Sequence, residues 1–147
     1  MCRGRRRQPA SDRDCRKRSL RDGLHTYSDL SMPNVLLVDD DCSLVAALRS
    51  IIQSAGFAVQ TAGNGADALA AIHTAPPDVI VADNMMPVMS GVELWRCLTA
   101  HPDYSTIPFL LQSAVHALPA DVRPTAFLRK PYPPTRLINL LTQWTSH

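Results

Sequence analysis

The stretch VLLVDDD, which runs from Val35 to Asp41, joins four apolar residues to three consecutive acids. A continuous apolar run predicts a strand buried on both faces, because a strand with one exposed face alternates apolar and polar residues. The adjacent carboxylates repel each other, and the repulsion energy of two like unit charges about 4 Å apart is roughly 4 kcal/mol at an effective dielectric constant near 20. A hard divalent cation with oxygen ligands would compensate this repulsion. The stretch therefore predicts a buried strand that ends at a metal site.

Three further polar residues follow predicted strands. Asp83 ends a second apolar run, Ser113 follows the fourth predicted strand, and Lys130 follows the fifth. Open α/β sheets place their ligands at the carboxyl ends of parallel strands, where such residues meet. The sequence therefore predicts one polar site at this edge of the sheet.

The chain alternates short strands with helical patterns of apolar residues. The predicted strands are Val35–Val38, Phe57–Thr61, Val79–Ala82, Phe109–Gln112 and Ala126–Leu128. This alternation predicts an α/β fold, with a doubly wound five-stranded parallel sheet covered by helices on both faces as a three-layer sandwich. Pro119 and Pro124 interrupt the segment before the fifth strand, so we expect a shortened fourth helix there, of little more than one turn.

The charges divide the chain into two parts. Residues 1–31 hold nine Lys/Arg and four Asp, which leaves +5, whereas residues 32–147 hold six Lys/Arg and nine Asp/Glu, which leaves −3. A basic, apolar-poor segment cannot bury enough surface to order itself. We therefore predict a disordered tail over residues 1–31 and a single domain over residues 32–147. Met32, just before the first strand, would also make a natural start of translation.

Several functional classes are not supported by the sequence. No apolar stretch approaches the about 20 residues that cross a bilayer, and no signal-peptide apolar segment follows the basic start, so we expect a cytoplasmic protein without a membrane span. No helix-turn-helix or aromatic-interleaved basic patch supports binding of nucleic acid. The cysteines form no CxxC pair and are predicted to be free thiols; they are Cys2, Cys15, Cys42 and Cys97.

The predicted edge carries the groups that phosphoryl transfer requires. Such a reaction needs an in-line nucleophile and neutralisation of charge on the phosphoryl oxygens. Asp83 can act as the nucleophile and form an acyl phosphate, and Asp39 and Asp40 can hold Mg²⁺. Lys130 offers a compact positive charge, and Ser113 offers a hydroxyl donor.

These residues resemble the receiver domain of two-component response regulators, the CheY-like superfamily with its flavodoxin-like fold. The resemblance covers roughly residues 33–146 and rests on several motifs in order. They are Val35-Leu36-Leu37-Val38-Asp39-Asp40-Asp41, Asp83-Asn84-Met85-Met86-Pro87 with Met89 and Gly91, Leu111-Gln112-Ser113-Ala114, and Phe127-Leu128-Arg129-Lys130-Pro131. Asn64-Gly65, leading into Ala68-Leu69, is similar to the family's entry into the second helix.

The resemblance implies a role for each site residue. Asp83 would accept a phosphoryl group from a sensor histidine kinase or a histidine phosphotransfer protein, and Lys130 would pair with Asp83 or its phosphate. Ser113 would move toward the phosphoryl group and Phe127 would turn inward as the switch aromatic. The Mg²⁺ ligands would be Asp39, Asp40, Asp83 and the backbone carbonyl of Met85. The Lys130–Pro131 bond would be cis.

These roles predict a stand-alone response regulator of phosphorelay signal transduction rather than an enzyme. Its downstream target stays open, as does the choice between a monomer and a weak dimer. The apolar residues Met85 and Val115 beside the site predict a slow loss of phosphate.

Other functional classes compete with this interpretation. A phosphorylation-independent interaction module is compatible with the shortened fourth helix. A phosphatase of the haloacid dehalogenase type is disfavoured because Met85 stands where that class needs a second acid.

Overall fold

The computed structural model describes residues 32–115 and 117–146, so the predicted basic tail lies outside the described residues. Every predicted strand is present, with ends displaced by one residue at most. The elements are β1 (Asn34–Val38), α1 (Cys42–Ser54), β2 (Ala58–Ala62), α2 (Gly65–Thr74), β3 (Val79–Asp83), α3 (Gly91–Thr99), β4 (Phe109–Ser113), β5 (Ala126–Arg129) and α4 (Pro134–Thr145). Within these ranges, no helix combines the length and the apolar character that a membrane span requires.

The five strands form one parallel sheet in the order β2-β1-β3-β4-β5. Helices α2 and α3 pack on one face, against Leu36, Ile80 and Leu111. Helices α1 and α4 pack on the other face, against Leu37 and Leu110 among others. Both faces of the central strands are therefore buried, which explains their unbroken apolar runs and confirms the predicted α/β three-layer sandwich.

Side-chain caps fix the helix starts at the carboxyl edge of the sheet. Asp41 is the N-cap of α1, where its carboxylate accepts hydrogen bonds from the backbone N–H groups of Ser43 and Leu44 at 3.1 and 3.2 Å. Ser90 and Glu93 form a capping box at the start of α3. Because the Asp41 carboxylate binds the start of α1, it is Asp39 and Asp40 of the acid triplet that join Asp83.

The connection from β4 to β5 contains less helical structure than predicted. In place of a shortened fourth helix, its described residues 114–115 and 117–125 contain a single turn, in which the Val122 N–H donates to the Pro119 carbonyl at 3.0 Å. Pro124 disfavours helical backbone at the residue before it, which stops the turn from continuing.

Two contacts outside regular structure hold this connection in place. Val122 is buried in the core on the α2/α3 face. Arg96 of α3 binds Asp121 through two hydrogen bonds, Nε to Oδ2 at 3.2 Å and Nη2 to Oδ1 at 3.0 Å. A valine anchor and a bidentate ion pair therefore attach the β4–β5 connection to α3.

Candidate functional site

Three carboxylates meet at the carboxyl edge of the sheet. Asp39 directly follows β1 and Asp83 is the last residue of β3; both are buried, whereas Asp40 is exposed. Strands β1 and β3 are neighbours in the sheet, which brings their ends together. One carboxylate oxygen from each of the three acids lies within 4.8 Å of the other two. The structure therefore places the predicted metal-ligating acids in one cluster.

Lys130 projects its ammonium group into this cluster. Its Nζ lies 2.7 Å from Asp83 Oδ1 and 3.4 Å from Asp39 Oδ2. The Lys130 N–H donates to the Ser113 carbonyl at 2.8 Å, which holds the residue at the end of β4. The Lys130–Pro131 bond is cis, as predicted. Burial of the ammonium group acts to lower its pKa, but the hydrogen bond and charge of Asp83, aided by Asp39, raise the pKa of Lys130 above its ordinary value.

The site carries more negative charge than Lys130 balances. Burial raises the pKa of Asp39, and the charge of Asp83 raises it further, while the hydrogen bond from the Asp41 backbone N–H and the charge of Lys130 act in the opposite direction. Three carboxylates facing one ammonium group leave an excess of negative charge. Oxygen ligands in an acidic cluster suit a hard divalent cation, so the donor set fits Mg²⁺.

The start of α3 lies against the end of β3, and this close approach requires glycine. A Cβ on Gly91 would lie 2.5 Å from the Asp83 carbonyl oxygen and 2.7 Å from Leu111 Cδ1. The Val92 N–H also donates to Asn84 Oδ1 at 3.1 Å. Glycine at the first position of α3 therefore allows the helix to support the backbone of Asp83.

The Met85 backbone lies beside the acids. Its N–H donates to Asp83 Oδ2 at 3.1 Å, which fixes the second oxygen of that carboxylate. The use of the Met85 carbonyl as a metal ligand stays a prediction.

Ser113 and Phe127 lie on the α2/α3 face of the sheet. Ser113 is fully buried, and its Oγ accepts a hydrogen bond from the Val115 N–H at 3.2 Å. Phe127 stands opposite Leu111 in the β4–β5 register and packs half-buried against the same core. The two residues therefore occupy neighbouring strands on one face, as the predicted switch requires.

Sequence reasoning missed two polar residues behind the acids. Gln112 is fully buried, and its side-chain Oε1 accepts a hydrogen bond from the Tyr132 hydroxyl. Burial, together with the charges of Asp39 and Asp83, raises the pKa of Tyr132 to about 12. The available signal was a glutamine in the otherwise apolar run FLLQ of β4.

Three exposed apolar side chains belong to the loops that follow β3 and β4. Met85, Val88 and Val115 are 65%, 81% and 43% exposed. Val88 also has a φ of 68°, a left-handed conformation that β-branched residues rarely adopt. An open cleft of about 480 Å³, lined in part by Asp40, Met85 and Pro119, borders this apolar rim. The exposed Asp40 thus lies beside apolar residues of the β3–α3 loop.

Comparisons with known proteins agree with this geometry. Residues 35–142 match the family described as response regulator receiver domain. The DNA-binding response regulator MtrA of Mycobacterium tuberculosis is 30% identical over 115 residues, which cover 75% of this chain and 49% of the relative. The chain thus spans about half the length of this relative.

Solved structures share the fold. The chemotaxis response regulator CheY4 of Vibrio cholerae superposes with a TM-score of 0.71 at 33% identity, covering 78% of this chain and 99% of that chain. The receiver domain of the Pseudomonas aeruginosa sensor histidine kinase PA1611, solved with a magnesium ion coordinated in its active site cleft, gives a TM-score of 0.68 at 23% identity and covers 78% and 98%. At that identity, the second likeness concerns the fold alone.

Proposed function

Because this chain belongs to the response regulator receiver domain family, a family of phosphoacceptor modules in two-component signalling, we propose that Asp83 accepts a phosphoryl group and that the domain then changes conformation. One observation carries the proposal. The buried Asp83 carboxylate contacts the Lys130 ammonium group at 2.7 Å and stands within 4.8 Å of Asp39 and Asp40. A nucleophile, a cation and two metal-ligating acids thus occupy one edge.

The proposed step transfers a phosphoryl group from a phosphohistidine of the donor to Asp83. An electron pair of the Asp83 carboxylate forms the new O–P bond, the P–N bond breaks, and its electron pair stays on the histidine nitrogen. Lys130 balances negative charge on the phosphoryl oxygens. The hydrogen bond from the Met85 N–H to Asp83 Oδ2 at 3.1 Å restricts the orientation of the carboxylate during the reaction.

Mg²⁺ is the proposed cofactor. Asp39, Asp40 and Asp83, with the Met85 carbonyl, would hold it, and the bound ion would neutralise charge between the phosphoryl oxygens and the acids. The carboxylates need this neutralisation because a phosphoryl dianion would otherwise approach several negative groups.

Ser113 and Phe127 form the proposed switch. A phosphoryl group on Asp83 offers the Ser113 hydroxyl a strong acceptor, which favours a Ser113 position away from the Val115 N–H. Phe127 then turns into the space that this movement leaves on the α2/α3 face. The phosphoryl group in this way biases an element that has two positions.

The proposed donors are a sensor histidine kinase or a histidine phosphotransfer protein, and the proposed compartment is the cytoplasm. We propose that the chain acts as a stand-alone regulator, as a monomer or weak dimer, on a downstream protein target rather than on nucleic acid. The slow loss of phosphate proposed for this site follows from the apolar Met85 and Val115 at its opening, which hinder an attacking water.

The test is phosphorylation by a small-molecule donor. We expect intact-mass analysis after incubation with acetyl phosphate and Mg²⁺ to show the addition of one phosphoryl group to the wild type and none to Asp83→Asn. Asp103→Asn, with the same charge change at an exposed position, is the matched control and should react like the wild type. Equal modification of the wild type and Asp83→Asn would refute the assignment of the acceptor.

A phosphorylation-independent interaction module is the second candidate. The observation that favours it is the β4–β5 connection, which contains a single turn in its described residues and differs from the predicted helix. If a partner binds the wild type and Asp83→Asn equally, with and without acetyl phosphate, this candidate replaces the first.

A further inference from the structure

Gln112 is a buried polar residue on an apolar face. It follows Leu110 at the two-residue spacing of a strand, so it faces α1 and α4 together with Leu110 and Leu128. Its Nε2 has no hydrogen-bond partner among the described residues. A buried donor without a partner destabilises the folded state. Leucine would suit this position better for stability alone, so the carboxamide calls for another explanation.

Gln112 connects the two residues that make the central ion pair. Its backbone carbonyl accepts a hydrogen bond at 2.9 Å from Asn84, the residue directly after Asp83. Its side-chain Oε1 accepts a hydrogen bond from Tyr132, two residues after Lys130. One residue of β4 thus contacts the chain just beyond Asp83 and just beyond Lys130.

Lys130 is consequently held from both sides. At Lys130 itself, the backbone N–H donates to the Ser113 carbonyl at 2.8 Å. Two residues later in the chain, the Tyr132 hydroxyl donates to the Gln112 side chain. Both acceptors belong to consecutive residues of β4. Loss of the Tyr132 contact would leave the Lys130 loop with one of these two hydrogen bonds to β4.

We propose that Gln112 and Tyr132 are positioning residues, whose hydrogen bond holds the Lys130 ammonium group against Asp83 and so sets the rate of phosphorylation. The expected effect on the phosphorylation rate rests on the proposed function, whereas the expected effect on the placement of Lys130 does not. Tyr132 acts through Lys130 and is not a ligand of the metal. The pair is therefore expected to affect the phosphorylation rate but not the affinity for Mg²⁺.

The first measurement needs no phosphorylation. The chain contains two lysines, Lys17 and Lys130, so acylation by acetic anhydride followed by peptide mapping reports on Lys130 directly. We expect Tyr132→Phe to raise the acylation rate of Lys130 about threefold, since a net hydrogen bond changes such an equilibrium by a factor of this order. Lys17 is the internal reference. An unchanged Lys130 rate refutes the proposal even if the wild type takes no phosphoryl group, an outcome that would separately refute the proposed function.

The second measurement separates positioning from packing. Tyr132→Phe and Gln112→Met should each slow phosphorylation by acetyl phosphate about fivefold. The affinity for Mg²⁺, measured by calorimetry, should stay unchanged. The double variant replaces a polar pair by an apolar pair, which can be nearly neutral for stability; it should regain stability while the rate stays low. Recovery of the wild-type rate in the double variant would show that the pair serves packing alone.

Two controls connect the effect to Lys130. In a Lys130→Ala background, Tyr132→Phe should cause no further slowing, because the residue it positions is absent. An equal slowing in that background would overturn the proposal. Tyr104→Phe removes a different tyrosine hydroxyl, one that lies 2.9 Å from His73 Nδ1, and should leave both the acylation and the phosphorylation rates unchanged.

Discussion

Asp39→Asn should stabilise the metal-free protein, although it removes the negative charge that pairs with the Lys130 ammonium group. Asparagine keeps the shape of the side chain and an oxygen that can accept the Asp41 N–H, now 3.0 Å from Asp39 Oδ1. Lys130 keeps its shorter contact with Asp83, at 2.7 Å. The substitution therefore changes mainly the charge of the acid cluster.

The magnitude follows from the distances around Asp39. At an effective dielectric constant near 20, unit charges 4.8 Å apart repel by about 3.5 kcal/mol; because Asp40 and Asp83 each lie within 4.8 Å of Asp39, this is the smallest repulsion expected from each of them. The opposite charge of Lys130 at 3.4 Å attracts by about 5 kcal/mol. About 2 kcal/mol of repulsion remains, and water around the exposed Asp40 reduces it. We expect Asp39→Asn to raise the free energy of unfolding by about 1–2 kcal/mol.

Urea unfolding followed by tryptophan fluorescence, with and without Mg²⁺, measures this change. A ligand at 100 times its dissociation constant stabilises the native state by about 2.7 kcal/mol, so Mg²⁺ should stabilise the wild type and have little effect on Asp39→Asn. Asp103→Asn is the control and should lie within about 0.5 kcal/mol of the wild type. Destabilisation of metal-free Asp39→Asn, or equal stabilisation of both proteins by Mg²⁺, would refute the electrostatic reasoning.

The pH dependence gives the same prediction a second measurement. The pKa of Asp39 is raised above its ordinary value of 3.8 in the folded state, so the folded protein takes up this proton before the unfolded chain does. The ionised side chain destabilises the protein above the raised pKa, and this destabilisation is lost as the pH falls through that pKa toward 3.8. The advantage of Asp39→Asn should therefore be full at neutral pH and vanish in acid.

Three other predictions concern stability and titration. The pKa of Tyr132 is raised to about 12. The ultraviolet difference titration of the wild type against Tyr132→Phe should therefore show one phenol that ionises near pH 12, and a midpoint near 10 contradicts this. The stability that the protonated Tyr132 contributes should be lost as the pH rises from 10 through 12, because the unfolded chain loses this proton first. Gly91→Ala should destabilise the protein by about 1–3 kcal/mol and abolish its stabilisation by Mg²⁺. The control is Gly63→Ala, whose added Cβ meets nothing within 4 Å and which should preserve that stabilisation. Equal behaviour of the two variants would show that the close approach of Gly91 to β3 is unimportant. Val88→Asn should raise the free energy of unfolding by about 1 kcal/mol, because asparagine tolerates positive φ; thermal unfolding that shows no gain would argue against strain at Val88.

The sequence predicted the sheet and its functional edge because both depend on simple periodicities. Five short apolar runs required a sheet buried on both faces, and the residues directly after parallel strands had to meet at one edge. The placement of Asp39, Asp83 and Lys130 at one edge of the sheet follows from this topology, and the length of the Lys130 side chain lets its ammonium group reach across the end of β4 to Asp83. Strand ends were predicted within one residue, since the change from apolar to polar residues marks them.

Features that depend on local backbone direction or on distant pairings were not predicted. The sequence predicted that Asp39 and Asp40 join the acid cluster, but it did not predict that Asp41 is the N-cap of α1, which depends on the local backbone direction. The contact between Gln112 and Tyr132 joins residues 20 positions apart, and its existence depends on the β4–β5 register. In the β4–β5 connection the two prolines predicted a short helix, but the burial of Val122 and the ion pair with Arg96 favour a single turn.

The attachment of the β4–β5 connection to α3 limits how far a rearrangement that starts at Ser113 can travel. Among the described residues of this connection, we expect Asp121 and Val122 to oppose such a displacement, because an ion pair and a buried side chain attach them to α3 and to the core. The contact between Arg96 and Asp121 is where we expect the displacement to reach α3. If the proposed phosphorylation of Asp83 takes place, we expect a downstream partner to detect it on the outer surface of α3 rather than on a separate helix between the last two strands.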